Sequence, residues 1–259
     1  MKLELEQMIV ALEGAGLNHW GVVGGRRYDE ISAPTLKTHV LQPGARSIIV
    51  FASGGTRLWD NFVSAIQHDP SRLQEEQHPL DAYVRHQVEL ASEHLGGVPH
   101  RWFFAAADAE IHLDFRTLAV AAGIGSPSKL GLVIDRRFGP WMGMRAACML
   151  PWSLPESAVA DDLCEPCTAP CVSACPGDAF PGQTWDVGRC ATFHQVSDRC
   201  AMSCDSRRAC PVGQEQQYSE LQMRYHYNRR IGRLSLAQSI GIEDNNYLGL
   251  GPDWSGWAG

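Results

Sequence analysis

Eight of the nine cysteines fall within residues 164–210, and this concentration constrains the fold more than any other feature of the 259-residue chain. They form two runs, each ending in a Cys-Pro pair. Because proline fixes its own φ and lacks an amide hydrogen, each pair ends local helix and turns the chain away, which directs the thiols of a run toward a shared centre. The cysteines are Cys164, Cys167, Cys171 and Cys175 in the first run and Cys190, Cys200, Cys204 and Cys210 in the second.

This layout is typical of a protein that binds two iron-sulfur clusters. In bacterial two-cluster ferredoxins each 4Fe-4S cluster takes three closely spaced cysteines and the Cys-Pro cysteine of the other run. The spacings here differ from that standard, which changes the path of the loops and not the number of ligands. In a crossed scheme Cys210 joins the first run and Cys175 the second, whereas in an uncrossed scheme each run binds its own cluster. We predict two 4Fe-4S clusters, and both pairings stay open.

Two other uses of the cysteines compete with this interpretation. The N-terminal apolar run is broken by Glu4, Glu6 and Glu13, which predicts no secretory signal and a cytoplasmic protein in which disulfides do not persist. A pair of four-cysteine zinc sites is the stronger alternative, because thiolates also suit zinc, but the paired Cys-Pro endings favour iron. The ninth cysteine, Cys148, lies in an apolar run and is predicted to be a small buried hydrophobe.

Charge and hydropathy exclude several classes of function. The net charge of -7 and the pI near 5.8 argue against a general nucleic-acid binder, which usually has a basic excess. No apolar run approaches the roughly 20 residues that span a bilayer. The arginine pairs at 136–137, 207–208 and 229–230 are expected on solvated faces or at anion contacts.

Hydrophobic periodicity predicts helices that alternate with strands over the first 155 residues, which is typical of an α/β layered sheet. Strands are predicted at 19–23, 47–52, 101–106, 129–134 and 142–150, with a glycine-rich turn at 24–28. Helices are predicted at 3–14, 57–68, 79–95 and 113–122, and at 218–233 after the cysteines. The predicted units are an α/β cofactor domain at 1–155, a cluster module at 156–216, and a C-terminal helix and tail at 217–259 that packs on the first domain. Trp254 and Trp257 in that tail are expected to pack against the domain itself or against a partner subunit.

Three motifs taken together resemble the epoxyqueuosine reductase family. They are the stretch from Arg116 to the Ala122-Gly-Ile-Gly turn, the Phe138-Gly139-Pro140-Trp141 turn, and the eight cysteines in order. The segments 132–145 and 217–225, and more weakly 59–83, are similar to the cobalamin-processing protein CblC. Together these similarities span most of residues 45–235.

The resemblance implies a nitroreductase-like, CblC-like α/β fold that binds cobalamin, joined to a C-terminal two-cluster ferredoxin-like module that feeds electrons to the corrinoid. It implies an oxidoreductase that receives electrons from a redox partner protein and holds a small-molecule cofactor. The alternatives are a ferredoxin-like electron carrier, a cobalamin-handling chaperone and a flavin-binding reductase. The residues that match the family's cofactor pocket are Ser126, Ser128, Lys129, Phe138, Gly139 and Trp141.

The chain also departs from the reductase pattern. Residues 125–129 read Gly-Ser-Pro-Ser-Lys where that family has a Gly-Trp-Ile-Gly-Lys run. Asp108 is the nearest residue to the family's catalytic acid, one position out of register. The acidic chain also offers no replacement for the repeat domain that helps that family hold transfer RNA, so we predict no transfer-RNA substrate.

Overall fold

The computed structural model describes residues 2–242, apart from the side chains of residues 74 and 183. The predicted tryptophan tail lies outside this range. The strands are β1 His19–Gly24, β2 Ser47–Gly54, β3 Arg101–Phe104, β4 Ser126–Pro127, β5 Val133–Ile134 and β6 Met142–Leu150. The helices before the cysteines are α1 Leu3–Gly14, α2 Gly25–Ile31, α3 Thr38–Leu41, α4 Arg57–His68, α5 Ser71–Glu75, α6 Pro79–Ser92 and α7 Phe115–Ala121. Those from the cysteines onward are α8 Pro170–Ser173, α9 Val187–Val196, α10 Asp205–Arg208, α11 Glu220–Tyr227 and α12 Arg229–Ser239. Single turns of 3-10 helix occupy Pro34–Leu36, Glu93–Leu95, Pro181–Gln183 and Gln214–Gln216.

A four-stranded antiparallel sheet of order β1-β2-β6-β3 forms the centre of the fold. Every residue of β2 is buried, because helices cover both faces of the sheet. Ile49 and Phe51 face a core shared with α1, α4 and α6. Ile48 and Val50 face a second core shared with α2 and α7. The continuous apolar run at 47–52 therefore follows from period-two side chains with a covered layer on each side.

The mixed α/β architecture expected from the sequence is confirmed. Helix α6 buries one apolar face and leaves Leu90, which lies off that face, 47% exposed. Two local predictions were wrong. The glycine-rich segment at 24–28 starts helix α2 instead of remaining a turn. The strand predicted at 129–134 shrinks to Val133–Ile134, which pairs only with Ser126–Pro127 because residues 128–131 form a tight loop.

The helix predicted at 218–233 is also two helices, broken at Asn228. The Asn228 side chain accepts a hydrogen bond from the Ile231 amide at 3.0 Å and so caps a new helix. Gly232 lets α12 cross α11 closely, since a Cβ there would lie 2.2 Å from the Tyr225 Cα. The break leaves Ile231 38% exposed, while Tyr225 packs into the first core beside Trp59.

None of the helices described is both long and apolar enough to cross a membrane.

Candidate functional site

The cysteine-rich segment is built from short helical turns joined by sharply bent loops. Helices α8 and α10 have four residues each, and α9 has ten. Among the described residues, the only non-glycine residues with positive φ are Ala169, at 58°, and Asp178, at 48°. Both follow a cysteine of the first run by two or three positions. Backbone strain of this kind costs about 1–3 kcal/mol and persists where the surroundings require it, so the path around the thiols is closely specified.

The first thiol group consists of Cys164, Cys167, Cys171 and Cys210. Burial raises the pKa of Cys171, and the nearby thiol of Cys210 raises it further, followed by those of Cys164 and Cys167. Burial also raises the pKa of Cys210, against a backbone hydrogen bond from Val212, and Cys164 and Cys167 again act in the same direction. All four cysteines line one cavity. The Cys-Pro cysteine of the second run therefore lies with the cysteines of the first.

The second thiol group consists of Cys175, Cys190, Cys200 and Cys204. Burial raises the pKa of Cys200 to about 11, with contributions in the same direction from Cys204, Cys190 and Cys175. The pKa of Cys190 is raised by burial as well, while a hydrogen bond from Trp185 opposes the shift. The charges of Cys204 and Cys175 raise the pKa of Cys190 further. The Cys-Pro cysteine of the first run thus lies with the second run, which is the exchange that a crossed ligand scheme requires.

Backbone amides point at the sulfurs of both groups. The amide of Ala169 donates to Cys167 Sγ at 3.4 Å, that of Ala179 to Cys175 Sγ at 3.5 Å, and that of Arg207 to Cys204 Sγ at 3.4 Å. These bonds favour the thiolate over the thiol. Hydrogen bonds to the sulfur ligands are also one of the means by which proteins set the potential of an iron-sulfur cluster.

The thiols of these groups are near one another without forming the ligand shell of a single ion. Among residues 2–242, no group of three or more histidine, cysteine, aspartate or glutamate side chains is placed to hold one metal ion. A tetrahedral zinc ion draws its four sulfurs to within about 3.8 Å of each other. A four-iron cube interposes its own iron and sulfide atoms between the cysteines and holds them farther apart. The thiols lie near one another in groups of four but are not arranged around one ion. This arrangement is compatible with a four-iron cube.

The turn at residues 137–141 is where the cysteine-rich segment docks on the α/β layers. The Asp135 carboxylate accepts hydrogen bonds from the Arg137 and Phe138 amides at 2.8 and 2.9 Å and fixes the start of the turn. Gly139 has φ of 55°, and a Cβ there would lie 2.0 Å from the carbonyl oxygen of Val212. Glycine is therefore required on both conformational and steric grounds.

Arg207, in the cysteine-rich segment, contacts the turn at residues 137–141 from the other side. Its side chain is buried, and its Nε and Nη2 donate to the Pro140 carbonyl oxygen at 3.0 and 2.6 Å. The guanidinium lies 4.7 Å from the centre of the Tyr218 ring and 4.9 Å from that of Trp141. The expectation of a solvated face at 207–208 was therefore wrong for Arg207. Stacking on two rings and two bonds to one carbonyl offset its loss of hydration.

The six residues predicted at a cofactor pocket fall into two groups. Ser128 and Lys129 line the same cavity as the first thiol group, and the Ser128 hydroxyl donates to the Leu132 carbonyl at 2.7 Å. Ser126 is buried on β4, and its hydroxyl has no hydrogen-bond partner among the described residues.

Phe138, Gly139 and Trp141 lie at the docking turn instead. Phe138 packs flat on Gly54, where an added Cβ would meet its ring at 2.4 Å. Trp141 is fully buried, and within residues 2–242 its indole nitrogen has no hydrogen-bond partner. Their role at a cofactor remains a prediction.

Asp108, the nearest candidate for a catalytic acid, binds Arg85 at 2.7 Å and is 48% exposed. Its function as an acid also remains a prediction.

Sequence reasoning missed two groups at the end of α11. The Nε2 of His226 is buried and has no hydrogen-bond partner among the described residues. Burial, and then the charges of Arg145 and two other arginines, hold the pKa of His226 well below its usual range. Tyr227, at the end of α11, packs against the cluster of Trp141, Tyr218 and Met223. No local sequence pattern indicates either environment, because both depend on tertiary packing.

No protein-family model matches the chain. The epoxyqueuosine reductase of Aliivibrio fischeri is 25% identical over 148 residues, which are 51% of this chain and 39% of that protein. The epoxyqueuosine reductase of Vibrio cholerae is 28% identical over 95 residues, which are 36% of this chain and 25% of that protein. The chain thus matches well under half the length of either curated relative.

Solved structures show the same likeness at the level of the fold. Epoxyqueuosine reductase from Bacillus subtilis superposes with a TM-score of 0.56 at 17% identity, covering 83% of this chain and 67% of that one. The B12-trafficking protein CblC from C. elegans superposes with a TM-score of 0.60 at 12% identity, covering 93% of this chain and 98% of that one. The resemblance inferred from the sequence motifs is therefore confirmed.

Proposed function

We propose that this chain is an oxidoreductase in which residues 164–210 hold two 4Fe-4S clusters and the α/β layers hold a corrinoid that receives their electrons. One observation carries the proposal: the two Cys-Pro cysteines, Cys175 and Cys210, each lie with the other run, so that eight thiols form two groups of four. Four cysteines are the usual ligand set of a 4Fe-4S cluster. The similarity to epoxyqueuosine reductases supports a reductase-type activity.

The donor set fits such clusters in two respects. The thiols are partly or fully buried, and each group carries at least one amide directed at a sulfur. When bound, the clusters supply one-electron transfer. The chain contributes thiolates, hydrogen bonds that stabilise them, and burial that limits contact with water and oxygen.

The loop at residues 126–129 is the best candidate for contact with the second cofactor. Ser128 and Lys129 share their cavity with the first thiol group, so a cofactor held by this loop would lie beside that cluster. The buried Ser126 hydroxyl, which has no hydrogen-bond partner in the part of the chain that the structure describes, could bond to an amide substituent of a corrinoid. We also propose a redox partner protein as the electron source and a reducing, cytoplasmic compartment, where cysteines remain reduced.

A cobalamin-handling function without turnover is the second candidate. It is favoured by the fold, since CblC from C. elegans, a B12-trafficking protein, is covered over 98% of its length. Both candidates predict corrinoid binding, but only the reductase predicts that the bound corrinoid is reduced when the clusters are reduced.

The test is composition and absorption of protein purified without oxygen. We expect about eight iron and eight acid-labile sulfide per chain, as two four-iron clusters require, and a spectral change toward a base-off form on addition of cobalamin. Zinc in place of iron would refute the cluster assignment. Tight binding of flavin together with no binding of any corrinoid would replace the corrinoid with a flavin.

A further inference from the structure

A cavity of about 320 Å³ lies between α4, α5 and α6. Proteins bind small organic ligands in cavities of roughly 300–1,000 Å³. The cavity is on the side of the sheet that Ile49 and Phe51 face, because residues of the first core line it. The hairpin of β4 and β5, which carries the loop proposed to contact a corrinoid, instead packs on the second core through Val133. The cavity is therefore separate from the proposed cofactor site.

The buried part of the cavity lining is apolar and aromatic. It consists of Phe62, Ile66 and Tyr83, none of which is more than 9% exposed. The rings of Phe62 and Tyr83 meet edge to face, with their centroids 6.0 Å apart. An apolar ligand body gains free energy by leaving water at such a surface, and an aromatic face attracts a cation that lies within about 6 Å of the ring centroid.

Tyr83 also supplies a hydroxyl to this lining. No atom that the structure describes forms a hydrogen bond with that hydroxyl, although the residue is only 9% exposed. Burial raises the pKa of Tyr83, and no hydrogen bond adds to this effect or opposes it. Hydroxyls buried to this degree normally have a partner, so this one is available to a polar atom of a ligand in the cavity.

The exposed rim of the cavity is acidic. It carries the carboxylates of Asp69, Glu75 and Glu76 and one guanidinium, that of Arg72. The Asp69 carboxylate already has partners, since it accepts hydrogen bonds from the Ser71 hydroxyl at 2.7 Å and from Arg72 Nε at 3.1 Å. Glu75 and Glu76 are exposed and, within residues 2–242, make no ion pair and no side-chain hydrogen bond. The rim therefore has two carboxylates that no cation of the described chain neutralises.

Helix α12 holds the wall that carries these two carboxylates. Arg233, which is 7% exposed, donates from Nη1 to the Gln77 carbonyl at 3.4 Å and from Nη2 to the Leu73 carbonyl. Leu73 is itself fully buried in the first core. A helix of five residues such as α5 is not stable alone, so these contacts fix its position. The cavity is therefore formed before a ligand enters it.

We propose that the cavity between α4, α5 and α6 binds a small organic cation, in which an ammonium group is carried on an apolar body about the size of one ring. The body packs on Phe62 and Ile66. The ammonium group lies toward Glu75 and Glu76 and donates a hydrogen bond to the Tyr83 hydroxyl oxygen. An organic anion is disfavoured, because it would meet the two carboxylates of the rim.

The experiment is calorimetric titration of the full chain, purified without oxygen, with 2-phenylethylammonium. The matched neutral ligand is 2-phenylethanol, which has the same ring and spacer but no charge. We expect a dissociation constant of about 1 mM or lower for the ammonium ligand, as a molecule of this size reaches in a partly enclosed apolar site. The alcohol should bind at least about fivefold more weakly, and added salt should weaken only the ammonium ligand.

Variants assign the binding to this cavity. Glu75→Gln/Glu76→Gln should weaken the ammonium ligand about fivefold and leave the alcohol unchanged, because only the charge of the rim is lost. Tyr83→Phe, which keeps the ring, should weaken the ammonium ligand about threefold through loss of one hydrogen bond. Ala82→Leu adds bulk to the lining and should abolish the binding of both ligands. The control Glu4→Gln/Glu93→Gln removes two exposed carboxylates outside the lining and should change neither affinity.

Three results would overturn the proposal. The absence of binding, or binding that Ala82→Leu leaves intact, would show that the cavity is not the site. Equal affinity for the ammonium ligand and the alcohol would refute a site for cations. Loss of affinity in the control to the same extent as in Glu75→Gln/Glu76→Gln would show that net charge decides and not the rim. If Ala82→Leu or Tyr83→Phe does not fold, the glutamate pairs decide, since all four side chains are exposed. None of these measurements depends on iron content, so the proposed function stands or falls separately.

Discussion

The pairing of cysteines across the two runs makes a quantitative prediction about iron loss. Two clusters of four iron each hold about eight iron per chain, and removing one ligand should empty or damage one site. Cys164→Ala and Cys210→Ala should therefore each retain about half of the iron. The structure places both residues in the first thiol group. The double variant Cys164→Ala/Cys210→Ala should therefore lose little more iron than either single variant, because both changes affect one centre.

A second double variant gives the opposite expectation and serves as the matched control. Cys164 and Cys175 belong to the same run but to different groups in the structure. Cys164→Ala/Cys175→Ala should retain almost no iron if the groups exchange their Cys-Pro cysteines, and about half if each run binds its own cluster. In the crossed scheme Cys164→Ala/Cys210→Ala should therefore keep more iron than Cys164→Ala/Cys175→Ala, and in the uncrossed scheme it should keep less.

The assay is iron and acid-labile sulfide analysis on anaerobic protein, with electron paramagnetic resonance of the reduced samples to count the clusters that remain. Circular dichroism checks that the α/β layers are folded in each variant. Additive iron loss in Cys164→Ala/Cys210→Ala, combined with half-occupancy in Cys164→Ala/Cys175→Ala, would refute the crossed arrangement.

Three further predictions concern the scaffold. Gly139→Ala should lower the thermal midpoint far more than Gly44→Ala, since both residues have positive φ but only Gly139 leaves no room for a Cβ against the cysteine-rich segment. Asp114→Ala should cost about 1 kcal/mol in urea unfolding at pH 7, because Asp114 caps α7. Burial acts to raise the pKa of Asp114, but hydrogen bonds from Thr117 and its neighbour outweigh it and lower that pKa. The difference in the free energy of unfolding between variant and wild type should therefore be complete above the ordinary aspartate pKa. It should disappear as the pH falls through the lowered value. Cys148 should resist alkylation at pH 8 until the protein unfolds, because it is fully buried and burial raises its pKa; labelling of this residue in native protein would contradict the structure.

The sequence predicted the features that depend on local pattern and failed where tertiary contacts decide. The continuous apolar run at 47–52, rich in β-branched residues, was sufficient to identify β2, and its lack of alternation follows because both faces of the strand are buried. The Cys-Pro endings suggested a crossed and an uncrossed pairing of the thiols but did not decide between them, and only the structure shows Cys210 near the first run and Cys175 near the second. The helix break at Asn228 was missed, because the apolar spacing continues through it. Its cause is the close crossing of two helices at Gly232, which no local pattern records.

Arg207 and Arg208 show this limit most directly. Adjacent in the sequence and identical in type, they point to different sides of one four-residue helix, so that Arg207 is buried and Arg208 is only half-buried. The difference comes from what each side chain meets: the Pro140 carbonyl between two aromatic rings for Arg207, and a serine hydroxyl for Arg208. The ring faces come from Trp141 and Tyr218, which are 66 and 11 residues away from Arg207 along the chain (207 − 141 and 218 − 207). A composition-based expectation of solvated arginines describes Arg208 adequately. It fails for Arg207, because that side chain is buried against groups contributed by distant parts of the chain.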